Sequence, residues 1–135
     1  MIAAVAWTVA DYLTTMGVHK DRLIHVTPEI RKNAEEFVPK VNAFMERFGK
    51  PRGMSSGYRD PVSNSNCNGA KYSWHCRGKA IDIFDLSGDL GEYIINNESV
   101  LEELGLWAED PKFTKDWVHL QSEPPRSGNR IFKPR

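Results

Sequence analysis

Apolar positions recur along this chain in two rhythms, first helical and then strand-like. Near the start, Ile2, Val5, Ala6, Val9 and Leu13 fall at helical spacing, which predicts a core-facing helix. From position 27 the signals sharpen. Thr27 suits an N-cap, Pro28 suits the first helical position, and Glu29 places an acid in the first turn. Ile30, Ala34, Phe37, Val38, Val41, Phe44, Met45 and Phe48 then form one apolar stripe, closed by Gly49 and Pro51. A helix with such a stripe is expected to cover a sheet.

Beyond residue 50 the spacing shortens. "GMSSGY" reads as a strand that leads into a long polar loop from Arg59 to Tyr72. In "KAIDIFDL", Ala80, Asp82 and Phe84 alternate with Ile81 and Ile83, the two-residue period of a strand. Residues 89–104 read as one or two short helices. "LGLWAED" and "DWVHLQ" read as two strands joined by a turn around Asp110 and Pro111, and "GVHKDRLIHV" as a connector or short strand. Helices followed by a small sheet with inserted helices define an α+β class, a small antiparallel sheet packed against N-terminal helices.

Composition narrows the function classes. The 135 residues suit a single domain, 1–135, with 40% hydrophobic and 27% charged residues. Eighteen basic residues balance eighteen acidic ones, and no nucleic-acid motif is present, so no nucleic-acid partner is expected. The tail 122–135 is the local exception, with Arg126, Arg130, Lys133 and Arg135 against Glu123 alone; it is expected to be a solvated, half-ordered end. The apolar opening has no basic n-region, is interrupted by Asp11, and falls short of the ~20 residues of a membrane span. No span and no signal peptide are therefore expected, with synthesis in the cytoplasm and a monomeric state. Cys67 and Cys76 form no CxxC, and the default is two reduced thiols.

Candidate chemistry gathers in "SWHCRGKAID". His75 precedes Asp82 by seven positions, and Asp82 interrupts an apolar strand, a costly place for a carboxylate unless a cation meets it. His119 sits in the second strand pattern, again among apolar neighbours. His19 and His25, in the polar connector, carry no comparable context. Three ligands drawn from His and Asp, with a fourth position for water, make a catalytic zinc site, and zinc lowers the pKa of bound water from 15.7 toward about 7. His75, Asp82 and His119 meet that count if the strands carrying Asp82 and His119 are neighbours, with Gly78 letting the chain curl back. A set built from Cys67, Cys76 and His75 ranks lower, because adjacent residues 75 and 76 project in different directions.

"SGYRDP", a polar loop containing "NG", "SWHCRGKAIDI" and "DWVHL" together resemble the zinc D-Ala-D-Ala carboxypeptidase family of peptidoglycan peptidases, with the hedgehog/DD-peptidase fold. The family pattern Ser-x-His-x-x-Gly-x-Ala-x-Asp, followed by an acidic residue three positions before a histidine, is matched by Ser73, His75, Gly78, Ala80, Asp82, Asp116 and His119. The resemblance covers about residues 50–121 and is closest to small phage endolysin-type members. It implies one zinc ion per chain on His75, Asp82 and His119, with Asp116 as general base. It also implies that Arg59 polarises the scissile carbonyl, and that Ser73 hydrogen bonds near the ligands or to substrate. Many relatives carry glutamate where Asp116 stands. Asp116 lies three residues before His119 and so must precede the regular strand; Glu109 and Asp110 are the reserve carboxylates.

The implied activity is hydrolysis of an amide bond in peptidoglycan stem peptides, of the D-Ala-D-Ala carboxypeptidase or L-alanyl-D-glutamate endopeptidase type, by a phage-type lysis enzyme acting on the cell wall after release. The alternative is a non-catalytic wall-binding or virion-structural module that keeps fold and metal, since fold alone does not fix function.

Overall fold

The computed structural model describes residues 6–15, 25–60 and 73–134. The chain forms two helices, α1 (Val9–Leu13) and α2 (Pro28–Phe48), then strand β1 (Met54–Ser56). A 3-10 turn at Trp74–Arg77 leads into β2 (Ala80–Phe84), helices α3 (Asp89–Asn96) and α4 (Glu98–Leu104), and β3 (Trp107–Glu109). A second 3-10 turn at Pro111–Phe113 precedes β4 (Trp117–Gln121), and β5 (Ile131–Phe132) ends the fold. This is the expected α+β architecture.

Helix α2 begins and ends where its caps dictate. The Thr27 hydroxyl accepts from Ile30 N, Pro28 opens the first turn, and Gly49 closes it in the left-handed conformation. The first helix is shorter than its apolar spacing suggests. Thr8 and Asp11 form a reciprocal capping box, so α1 starts at Val9, and Ala6 and Trp7 precede it. Ile2 and Val5, the connector with His19, and Cys67 lie outside the described residues.

The sheet runs β1-β2-β4-β3-β5. The pairs β1–β2, β2–β4 and β3–β4 are antiparallel, while β3–β5 is parallel. The tail thus differs from the solvated end expected of it: Ile131 and Phe132 pair with Ala108 and Glu109. Arg130 reinforces the docking by stacking over the Trp107 ring at 4.2 Å and donating to Leu106 O.

One face of the sheet is the core. Ile81, Ile83, Val118 and Leu120 point into it and meet Phe37, Val41 and Phe44 of α2, with Leu90, Ile94 and Leu101 of α3 and α4. Fully burying side chains of this size stabilises by roughly 1.5–3 kcal/mol each. Tyr12 locks α1 onto the sheet: it is fully buried and its hydroxyl donates to Ala80 O at 2.7 Å. The two-residue period that buries Ile81 and Ile83 turns Asp82 to the opposite face.

Candidate metal centre

Strand register builds the centre. Asp82 on β2 is the direct antiparallel partner of His119 on β4, so the two side chains stand together on the face away from α2. Asp82 Oδ1 lies 2.8 Å from His119 Nδ1 and 3.3 Å from His75 Nε2. His75 arrives from the 3-10 turn. The Ser73 hydroxyl caps that turn by accepting from His75 N, and Gly78 ends it at φ 78°. A Cβ at Gly78 would also come within 2.8 Å of Ile30 O on α2, so the residue permits both the turn and the close packing of the helix.

The three side chains offer ligand atoms that all lie within 4.8 Å of one another, and His75 and Asp82 are buried. What makes the group fit a metal is the engagement of each histidine's remote nitrogen. His75 Nδ1 donates to Gly57 O at 2.8 Å, and His119 Nε2 donates to Gln121 Oε1 at 2.8 Å. Gln121 is oriented in turn, because its amide nitrogen donates to Glu123 O at 2.7 Å. With a metal bound, these carbonyl oxygens would keep each N–H on the remote nitrogen and leave His75 Nε2 and His119 Nδ1 free to ligate, the second layer of bonding typical of histidine ligands. Two imidazole nitrogens and a carboxylate are a donor set suited to zinc, with a further position for water.

The electrostatics agree. Burial alone would push the Asp82 carboxyl up, but the charge of His75 and the bonds from His119 and His75 outweigh it and hold it well below the usual carboxylate range. Burial lowers the His75 imidazolium against the opposing pull of Asp82. Burial would also lower His119, yet its hydrogen bond to Asp82 and the carboxylate's charge leave it raised.

Arg59 flanks the group on the β1 side. Its Nη2 donates to Asp82 Oδ2 at 2.9 Å and its Nε to Ser56 Oγ at 2.9 Å. The guanidinium therefore reaches the carboxylate oxygen turned away from the histidines. Ser73 is brought to the centre indirectly, through the turn that carries His75; its side chain also borders a surface groove with Asn33 and Cys76. Cys76 is half-buried, and burial raises its thiol pKa.

The acidic candidates separate. Asp116 precedes β4, in the left-handed conformation at φ 70°, and its carbonyl accepts from Asp85 N. It is exposed and lines a groove with Asp85, Pro111 and Trp117. Asp110 caps the 3-10 turn by accepting from Lys112 N. Glu109 is different. One step beyond the Ala108–Leu120 pair, the β3–β4 register sets it beside His119. Partial burial there raises its carboxyl pKa above the usual range, with His119 lowering it and Asp82 raising it further.

Gln121 and the Gly57 carbonyl were not among the sequence candidates. Gln121 carries a local signal, since it lies two residues after His119 and so shares its strand face. Gly57 carries none, because its part is played by the backbone. Removing the Gln121 amide tests the second layer directly: Gln121→Ala is expected to weaken zinc binding roughly 10–100-fold with little change in thermal midpoint, read by competition titration against a chromogenic chelator. Unchanged affinity would show that His119 needs no such support.

The sheet face of this α+β fold thus presents a His75–Asp82–His119 group that could hold a metal ion, its histidines oriented by carbonyl oxygens. The model of the peptidase M15 family matches residues 8–120, so the chain belongs to that family and is a peptidase. No curated protein and no solved structure matches it. Among the described residues, no helix is long and apolar enough to cross a membrane.

Proposed function

We propose that this chain is a zinc peptidase that hydrolyses an amide bond in peptidoglycan stem peptides, either a D-Ala-D-Ala carboxypeptidase or an L-alanyl-D-glutamate endopeptidase, in the setting of phage-type cell-wall lysis. The observation that carries this reading is the convergence of His75 Nε2, Asp82 Oδ1 and His119 Nδ1, with both remote histidine nitrogens pinned by carbonyl oxygens. A zinc ion bound there supplies Lewis acidity and makes a nucleophilic water available near neutral pH.

The remaining work falls to the chain. His75, Asp82 and His119 hold the ion in a site that is largely shielded from solvent. Arg59, on the β1 flank, steadies Asp82 and places positive charge where an amide carbonyl gains negative charge as it is attacked. Ser73 keeps His75 in position through the turn. A nearby carboxylate is required to move the proton from the attacking water to the departing amine; the family resemblance gives that part to Asp116.

The test is turnover of purified peptidoglycan by the protein as isolated, after chelation and after zinc is restored, with the released fragments identified by mass. Cleavage lost on chelation and regained with zinc supports the peptidase, and the fragment masses name the bond. Stoichiometric zinc without cleavage of any wall preparation would instead favour a binding or virion-structural module.

A further inference from the structure

Resting on the peptidase reading above, we propose that Phe132 is a specificity-determining residue, its ring forming the apolar wall against which the alanine on the acyl side of the scissile amide packs.

Phe132 lies beyond residues 8–120, the stretch that the family model matches, and reaches the centre on strand β5. After β4 the chain turns at Gly128, whose N–H donates to Pro125 O, and returns alongside β3. There Ala108 N donates to Arg130 O at 2.9 Å and Asp110 N to Phe132 O at 2.7 Å. Ile131 packs against the core, and the two-residue period then sends Phe132 to the opposite face, which carries Asp82 and His119. Ile131, the backbone bonds and Arg130 over Trp107 already account for the docking of this strand. The Phe132 ring has a different setting.

Strand β5 lies two places from β4 in the sheet, about 10 Å between backbones. The ring centroids of Phe132 and His119 are nevertheless only 6.3 Å apart, with the planes at 85°. The Phe132 ring therefore leans across β3 toward the metal-binding group, and it stays partly exposed. A large apolar side chain beside Glu109 and His119 fills no core. What it offers is a surface that sheds water when an apolar group of a ligand covers it.

The two flanks of the centre then divide the substrate. Arg59 stands on the β1 side, where the amide oxygen gains negative charge. A carbonyl whose oxygen turns toward Arg59 directs its other two bonds, to Cα and to nitrogen, toward the flank that Phe132 closes. In both bonds considered, D-Ala-D-Ala and L-Ala-D-Glu, the acyl residue is alanine. Its methyl group meets the ring, and glycine in its place would leave the ring uncovered.

The stem peptide that the wild type cleaves is made with alanine or with glycine on the acyl side. Both are assayed for kcat/KM with zinc-loaded wild type, Phe132→Ala, Phe132→Val and Phe132→Tyr, alongside zinc per chain and thermal midpoint. The ratio between the peptides does not depend on how much of a preparation is folded, so a purely structural loss leaves it unmoved. Wild type is expected to prefer alanine about tenfold, the worth of one carbon group on an apolar surface. Phe132→Ala and Phe132→Val, the latter keeping a strand former in β5, are expected to fall to about twofold or less with zinc content unchanged. Phe132→Tyr keeps the ring and is expected to keep the preference. The proposal is overturned if wild type shows no preference, if Phe132→Val retains it, or if Phe132→Tyr loses it. Loss of zinc along with the ring also overturns it, since Phe132 would then be a support for His119. A wild type that cleaves neither peptide nor wall removes the peptidase reading and this assignment together, whereas an active wild type whose preference survives in Phe132→Val removes the assignment alone.

Discussion

Asp82→Asn is expected to bring zinc content from one ion per chain to near zero and peptidoglycan cleavage below detection. Asparagine preserves the shape of the side chain, but it removes the negative charge on which His75, His119 and Arg59 converge. An amide is a poor ligand for zinc beside two neutral imidazoles, and the site would lose the only carboxylate in the metal-binding group. Asp85, three residues on, supplies the control. It is also buried, but its two oxygens accept from Leu90 N and Gly91 N at the start of α3. Asp85→Asn is therefore expected to lower the thermal midpoint and leave zinc content intact. Metal analysis by inductively coupled plasma mass spectrometry alongside thermal unfolding separates the two, and full zinc occupancy in Asp82→Asn would sink the ligand assignment.

Gly57→Ala is expected to damage stability and metal binding together, although residue 57 carries no functional side chain. A Cβ there would lie 2.8 Å from Tyr12 Cδ1 and 2.9 Å from Thr15 Oγ1, with Tyr12 O closer still. None of these can yield easily, because Tyr12 is fully buried and its carbonyl accepts from Tyr58 N. Overpacking of this kind costs roughly 1–3 kcal/mol, here at the upper end. At about 135 residues this lowers the midpoint by roughly 5–10 °C. The backbone shift that relieves the clash also moves Gly57 O, the acceptor that orients His75, so zinc affinity is expected to fall roughly 10–100-fold. Gly53→Ala is the comparison: its Cβ would meet only the half-exposed Phe84 ring, at 3.3 Å, and little change is expected. Equal midpoints and affinities for the two variants would contradict the role given to Gly57.

How far the sequence disclosed this arrangement depends on how local each feature is. α2 was legible because Thr27, Pro28 and Gly49 mark its ends and its stripe has one period. β2 was legible because Asp82 breaks an alternation whose other face is isoleucine. His75 and His119 stood out as candidate ligands through their spacing motifs, but the meeting of Asp82 and His119 is a matter of strand register between residues 37 positions apart, which no local pattern specifies. The same holds for Glu109, whose standing comes from the β3–β4 pairing, and for β5, a two-residue strand whose pairing partner is β3. Its sequence, Ile131–Phe132 among basic and turn residues, gives no strand signal by itself. Asp82 and Asp85 look alike in "AIDIFD"; only the fold turns one to the metal-binding group and the other to a helix end.

The most direct test of the central claim is the zinc K-edge absorption spectrum of the purified, zinc-loaded protein. With His75, Asp82 and His119 as ligands, the expected first shell is of nitrogen and oxygen scatterers at about 2.0–2.2 Å, with the outer-ring signature of two imidazoles and no sulfur. A sulfur shell at about 2.3 Å would place a cysteine on the metal and contradict the His75, Asp82 and His119 centre.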